Sequence, residues 1–97
     1  MPAYIVLGSF TAEGIAQIKE NERLRESVEQ WVTARGGRVI SNYLTLGPYD
    51  FVFTCELPSD EVALEGAMLF SRGGKVRTQT LRAFDMRDAE AIAHRLP

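Results

Sequence analysis

Tyr43-Leu44-Thr45-Leu46-Gly47-Pro48-Tyr49-Asp50-Phe51-Val52-Phe53 reads as strand, tight turn, strand. Tyr, Leu, Thr, Phe and Val favour the pleated, half-buried environment of a sheet, and Gly47-Pro48 are turn residues. A Tyr-Asp pair stands at the turn exit. A hairpin in the middle of the chain leaves the flanking segments to supply the rest of the architecture.

Two matching junctions flank it. Arg35-Gly36-Gly37-Arg38-Val39 and Arg72-Gly73-Gly74-Lys75-Val76 each join a helical pattern to a strand pattern. In each, the first glycine suits the left-handed position that ends a helix, and the preceding arginine suits the negative helix terminus. The second glycine frees the turn into the strand. The repeated punctuation suggests two β-α-β halves.

The remaining elements follow from pattern. Residues 3–9 form the first strand, built from Tyr4, Ile5, Val6 and Leu7. Thr11 caps a first helical turn, with Glu13 in a favourable early position, and Asn21 restarts or kinks the helix. Leu24, Val28, Trp31 and Val32 share one helical face, which leaves Arg25, Glu29 and Gln30 in water. Strands are expected over 38–46, 51–57 and 76–84. A second helix starts behind Ser59 as cap, with Val62, Ala63, Ala67, Leu69 and Phe70 as its apolar positions. Gly66 in its middle costs about 1 kcal/mol against Ala and is expected to permit close helix–sheet packing. A short terminal helix is expected over 88–95.

The order β-α-β-β-α-β is the ferredoxin-like arrangement, an α+β fold. Its four-stranded antiparallel sheet carries both helices on one face and leaves the other uncovered. Residues 1–97 are read as a single domain. A domain of this size buries roughly 60–70% of its unfolded surface and gains from a partner surface, here a second copy of the chain. In the last strand, polar on both alternating sets, one set, with Thr78 and Thr80, packs as small side chains and the other faces a wet cavity; the sequence leaves open which set takes which face. Arg77 and Arg82, five positions apart, project from opposite faces.

Composition narrows the function classes. A net charge of −2 gives no electrostatic case for nucleic acid or an anionic membrane. The single cysteine, Cys55, excludes an internal disulfide and points to a reducing, cytoplasmic setting. No run approaches the ~20 apolar residues that span a bilayer. The lone His94 lacks the clustered partners a metal needs, so neither metal nor cofactor is expected. Gly73-Gly74-Lys75 lacks the spaced glycine and the following Ser/Thr of a phosphate loop. Tyr49-Asp50-Phe51-Val52 resembles the aromatic third-strand motif of RNA-recognition domains. However, Asp50 replaces the small residue, Thr54 replaces the last aromatic, and an acidic residue there repels phosphate.

The run Leu44 to Val52 resembles the signature of the GYD domain family, although Pro48 separates Gly47 from Tyr49 as a spacer. Tyr4-Ile5-Val6-Leu7, Phe10-Thr11, Gly14-Ile15 and the run Val76 to Phe84 extend the resemblance over nearly the whole chain. The resemblance implies a ferredoxin-like fold of the dimeric α/β-barrel kind and no particular activity.

Two readings of the candidate site residues stand side by side. Structurally, Gly47 to Asp50 is a hairpin connection in which Asp50 bonds nearby backbone amides and Tyr49 covers the sheet edge. Functionally, Tyr43, Tyr49, Asp50 and Arg77 contact a small ligand held between the sheets of a homodimer or higher even oligomer. Arg77 beside Tyr43 would then be the fork for a carboxylate or other anion. The alternative is a cofactor-free oxygenase or isomerase acting on a small aromatic or lactone-like substrate. There Tyr49 or Tyr43 donates a hydrogen bond, Asp50 is the base and Arg77 clamps the anion. Adjacent Tyr-Asp on a strand point to opposite faces, which argues against a catalytic pair.

Overall fold

The computed structural model describes residues 1–97. Strands β1 (Ala3–Phe10), β2 (Arg38–Leu44), β3 (Phe51–Glu56) and β4 (Val76–Ala83) form one sheet in the order β2-β3-β1-β4, with every pair antiparallel. Helices α1 (Ala12–Ala16) and α2 (Asn21–Ala34) connect β1 to β2, and α3 (Asp60–Arg72) connects β3 to β4. A terminal helix, α4 (Met86–Ala93), follows β4. This is the expected ferredoxin-like order, with strand ends within a few residues of the expected ones.

Local chemistry explains the helix boundaries. Thr11 and Ser59 adopt extended backbone and accept hydrogen bonds from the amides of Gly14 and Val62, as N-caps do. Asp85 caps α4 in the same way, so that helix starts at Met86, ahead of the expected position. The chain breaks as expected at Asn21: a short 3-10 turn, Ile18–Glu20, separates α1 from α2.

The two glycine junctions differ from each other. Gly36 takes the left-handed conformation at φ +84°, but in the second junction Gly73 is right-handed at φ −66° and Gly74 takes φ +79°. The left-handed residue therefore moves by one position, and the two halves are not equivalent there. The expected reason for Gly66 is also revised. A Cβ on Gly66 would stand 2.9 Å from the Trp31 ring, so the glycine serves contact between α3 and α2 rather than between helix and sheet.

Alternation along β1 divides the sheet into two faces. Tyr4, Val6 and Gly8 are buried beneath the helices, while Ile5, Leu7 and Ser9 point away from them. The core cluster joins Tyr4, Val32, Cys55, Leu57 and Ala63. Between Val39 and Ser41 the β2–β3 register shifts at a bulge. One extra residue reverses which side chains face the core. Asn42 and Leu44 thus share the face of Val39, and β2 shows no simple alternation in sequence.

On the uncovered face the register sets Tyr43, Val52, Leu7 and Gln79 in one row and Ser41, Thr54, Ile5 and Leu81 in the next. Leu81 is 46% exposed and Tyr43 63% exposed. The chain is thin and long, 53 × 31 × 19 Å, with a radius of gyration of 14.7 Å. A compact chain of 100 residues has about 13 Å.

Candidate functional site

The concave apolar feature of the chain lies between the sheet and the helices. It is a cavity of about 310 Å³, lined by 22 residues of which 16 are hydrophobic. That volume falls at the lower end of small-molecule pockets, roughly 300–1,000 Å³.

Its floor is the covered face of the sheet. Phe51 and Phe53 stand two apart on β3, so both side chains point to the helices, with ring centroids 6.4 Å apart. The Phe51 ring lies across Gly8, where a Cβ would come within 1.9 Å of its Cζ. Only glycine at that position of β1 admits the ring. Phe10 adds a tilted contact to Phe51 at 5.5 Å.

Its roof comes from α2 and α3. Leu24, Val28 and Trp31 descend from α2, and Ala63, Gly66, Ala67 and Phe70 from α3. Trp31 and Phe70 meet edge to face at 5.9 Å, a favoured aromatic geometry. The Arg35 guanidinium sits over Trp31 at 5.3 Å and pairs with Glu65 at 2.5 Å. These contacts lock the tryptophan across the gap between the helices.

The cavity exists because small residues oppose small residues. Helix α3 lies along β4 and presents Ala63, Gly66 and Ala67, while β4 presents Thr78 and Thr80. Both threonines share the helix-facing side of β4, opposite Gly8 and Val6, a choice the sequence left open; Thr78 is half-buried and Thr80 exposed. With little volume on either side, the space between the layers is left open rather than filled.

Burial sets the direction of the opening. At one end Tyr4, Val32, Cys55, Leu57 and Ala63 are buried and close the cavity. At the other, Asn21, Arg25, Asn42 and Leu44 line it and are partly or fully exposed. Arg25, expected in water, is half-exposed at this mouth and pairs with Glu29 at 3.1 Å. Arg25 is the one formally charged side chain in the lining, and it lies at the mouth rather than in the interior.

At the closed end two titratable groups are held neutral. Burial, together with donation of the phenol O–H to the Asp60 carboxylate at 2.6 Å, pushes Tyr4 up to about 12. Burial alone pushes the Cys55 thiol up to about 11. A thiol so shifted is protonated near neutral pH and is a poor nucleophile.

The four residues singled out from sequence do not converge. Tyr43 is opposite Val52 in the register and also borders the cavity at the edge of β2. The Tyr49 hydroxyl donates to Gln79 Oε1 at 3.2 Å, on the uncovered face. Asp50 accepts from the Phe10 amide through its carboxylate at 2.9 Å, and its own amide donates to the Gly8 carbonyl at 2.8 Å. Arg77 is exposed opposite Ser9, on the uncovered face. The turn is closed by the Thr45 amide on the Asp50 carbonyl at 2.8 Å and by the Thr45 hydroxyl on the Tyr49 carbonyl at 2.6 Å. Asp50 therefore ties the hairpin to the end of β1.

The cavity of the single chain lies between helices and sheet, whereas the ligand position expected from sequence lies between the sheets of two copies. In sequence the aromatic lining of Trp31, Phe51, Phe53 and Phe70 reads only as strand or helix core. The signal that could have found it is the set of small residues, Gly66, Ala67, Thr78 and Thr80, on two elements that face each other. No cluster of His, Cys, Asp and Glu suits a metal ion, and no helix is long and apolar enough to cross a membrane.

Comparison with known proteins places this geometry in context. The family model described as the GYD domain matches residues 4–93. A protein of Thermus thermophilus, named glutamine synthetase and cystathionine beta-lyase binding protein, is 34% identical over 89 residues, covering 91% of this chain and 94% of its own. The crystal structure of FFRP-DM1 superposes with a TM-score of 0.56 at 17% identity, covering 87% of this chain and 100% of its own, which bears on the fold alone. TTHA0845, also from Thermus thermophilus, superposes with a TM-score of 0.48 at 25% identity, over 87% of this chain and 94% of its own.

Proposed function

The chain belongs to the GYD domain family, and on that premise we propose that it is a self-associating, protein-binding module. Two copies join through the uncovered faces of their sheets into a barrel, and the assembly binds other proteins in the cytoplasm. The observation that carries this reading is the uncovered face. Ile5, Leu7, Val52 and Leu81 form an apolar centre across three strands, flanked by Tyr43, Ser41, Thr54 and Gln79. An antiparallel sheet face that meets water is ordinarily polar. An apolar centre with a polar rim is the anatomy of an interface.

The protein-binding part is supported by the Thermus relative, whose name states that it binds glutamine synthetase and cystathionine beta-lyase. The single unpaired cysteine fits a reducing compartment.

Native mass spectrometry on the gently purified protein tests self-association. The expected result is an even multiple of the 10.8 kDa chain. A strictly monomeric protein at high concentration would overturn the barrel. Biolayer interferometry against purified glutamine synthetase and cystathionine beta-lyase tests the second part. Saturable binding to one of them supports it, and absence of binding to both removes it.

A further inference from the structure

We propose that the cavity between the helices and the sheet binds a small, uncharged, flat aromatic molecule of two fused rings carrying one polar substituent. This site is separate from the uncovered sheet face, so it stands or falls independently of self-association.

Size comes first. An apolar cavity of about 150 Å³ accommodates benzene. The present cavity, about 310 Å³, is roughly twice that. A helical segment of a partner protein, about 10–12 Å across with side chains, is far too large. The occupant is therefore a small molecule rather than a peptide.

Shape and chemistry come next. Phe51 and Phe53 form a near-parallel pair on the floor, with an interplanar angle of 15°. Trp31 and Phe70 present a perpendicular pair in the roof, at 89°. With four aromatic rings in the lining, an aromatic ligand finds ring partners on both the sheet side and the helix side of the cavity, where offset-stacked or edge-to-face contacts are the favoured arrangements.

Charge decides against an acid or an amine. The one formally charged side chain in the lining, Arg25, lies at the half-exposed mouth beside Glu29, and no charged group lies deeper in the cavity. The Tyr4 hydroxyl is taken by Asp60. An ionised ligand would lose its hydration without a free counter-charge, which is costly. One hydroxyl or carbonyl on the ligand can instead be met inside the cavity by the hydroxyl of the half-buried Thr78 on the floor.

The full-length ¹⁵N,¹³C-labelled protein is titrated with 2-naphthol, with 2-naphthoate as the charged counterpart of the same ring. Expected are saturable shifts for 2-naphthol, intermolecular NOEs to the Trp31 and Phe53 rings, and binding of 2-naphthoate at least about tenfold weaker because its charge is desolvated. Ala67→Leu, which fills the roof side, abolishes binding while circular dichroism and assembly mass stay unchanged. If that variant does not fold, Thr78→Ile fills the same space from the sheet and carries the test. No saturable response to 2-naphthol would overturn the proposal. NOEs to the Leu7 and Leu81 methyls instead of Trp31 would also overturn it, because the ligand would then lie on the uncovered face. Equal affinity for 2-naphthoate would overturn the assignment of an uncharged ligand.

Discussion

The two faces of the sheet use the same four strands and solve opposite problems. The covered face carries Tyr4, Val6, Phe51, Phe53 and Cys55 and is shielded by α2 and α3, yet it keeps an open cavity. The uncovered face carries Ile5, Leu7, Val52 and Leu81 with no layer above it. The difference teaches that being covered and being filled are separate properties. Helices cover one face but small residues leave it hollow, while large residues on the other face have no cover within the chain.

The sharpest way to break this contrast is to charge the uncovered face. Leu81→Glu places a carboxylate where the single chain already exposes the side chain at 46%. The monomer fold tolerates it, but in the proposed barrel a buried unpaired charge would cost several kcal/mol. Light scattering is expected to show conversion of the assembly to monomers, with circular dichroism unchanged. An assembly that survives the substitution would mean that copies do not meet through this face.

On the covered face the largest effect belongs to Trp31→Ala. The ring spans α2 and α3 through Gly66 and Phe70. Its loss enlarges a cavity already present, at a cost of about 3 kcal/mol. Urea unfolding should show a lower midpoint, and the loss should persist in the Leu81→Glu monomer.

Alkaline pH probes the closed end of the same face. Burial holds Cys55 up at about 11, above its unfolded value of 9.0. A folded value above the unfolded one favours the protonated form, so this stability is complete below pH 9 and is lost as pH rises through 11. The loss is on the order of 3 kcal/mol. Urea melts on either side of that window should show it. Cys55→Ala should flatten the slope there, leaving the part due to Tyr4, which is lost between pH 10 and about 12.

The smallest effect is expected at the hairpin. Asp50→Asn keeps an acceptor for the Phe10 amide but removes its charge, costing about 1 kcal/mol. Thermal melts should record a small decrease, with binding of 2-naphthol unchanged. A large loss of ligand binding with no change in stability would support Asp50 as a site residue.

Most of the fold was legible before the structure. Glycine pairs at 36–37 and 73–74, caps at Thr11 and Ser59, and the break at Asn21 act through local backbone chemistry, so they appear in a single sequence. Which glycine turns left-handed was less legible: Gly36 does so at the first junction and Gly74 at the second. That choice depends on how the last helical turn meets the next strand. The bulge near Ile40 was hidden for a similar reason, since an unpaired residue is defined only against its partner strand.

The candidate site was less legible than the fold. Tyr49 and Asp50 stand out in sequence as a conspicuous pair, but tertiary contacts send one to Gln79 and the other to the Phe10 amide. Residues that adjoin in a strand diverge in space, and those that line a cavity come from distant segments.

Sequence alone therefore determined the element order, the helix starts, the opposite directions of Arg77 and Arg82, and the existence of an uncovered face. Each depends on local propensity or on the two-residue period of a strand. Only the tertiary structure decided that Gly66 admits Trp31, that Gly8 admits Phe51, and that Ala67 faces the cavity with Thr78. Those outcomes depend on volumes meeting across layers, and a volume deficit is a property of two surfaces together, not of either segment.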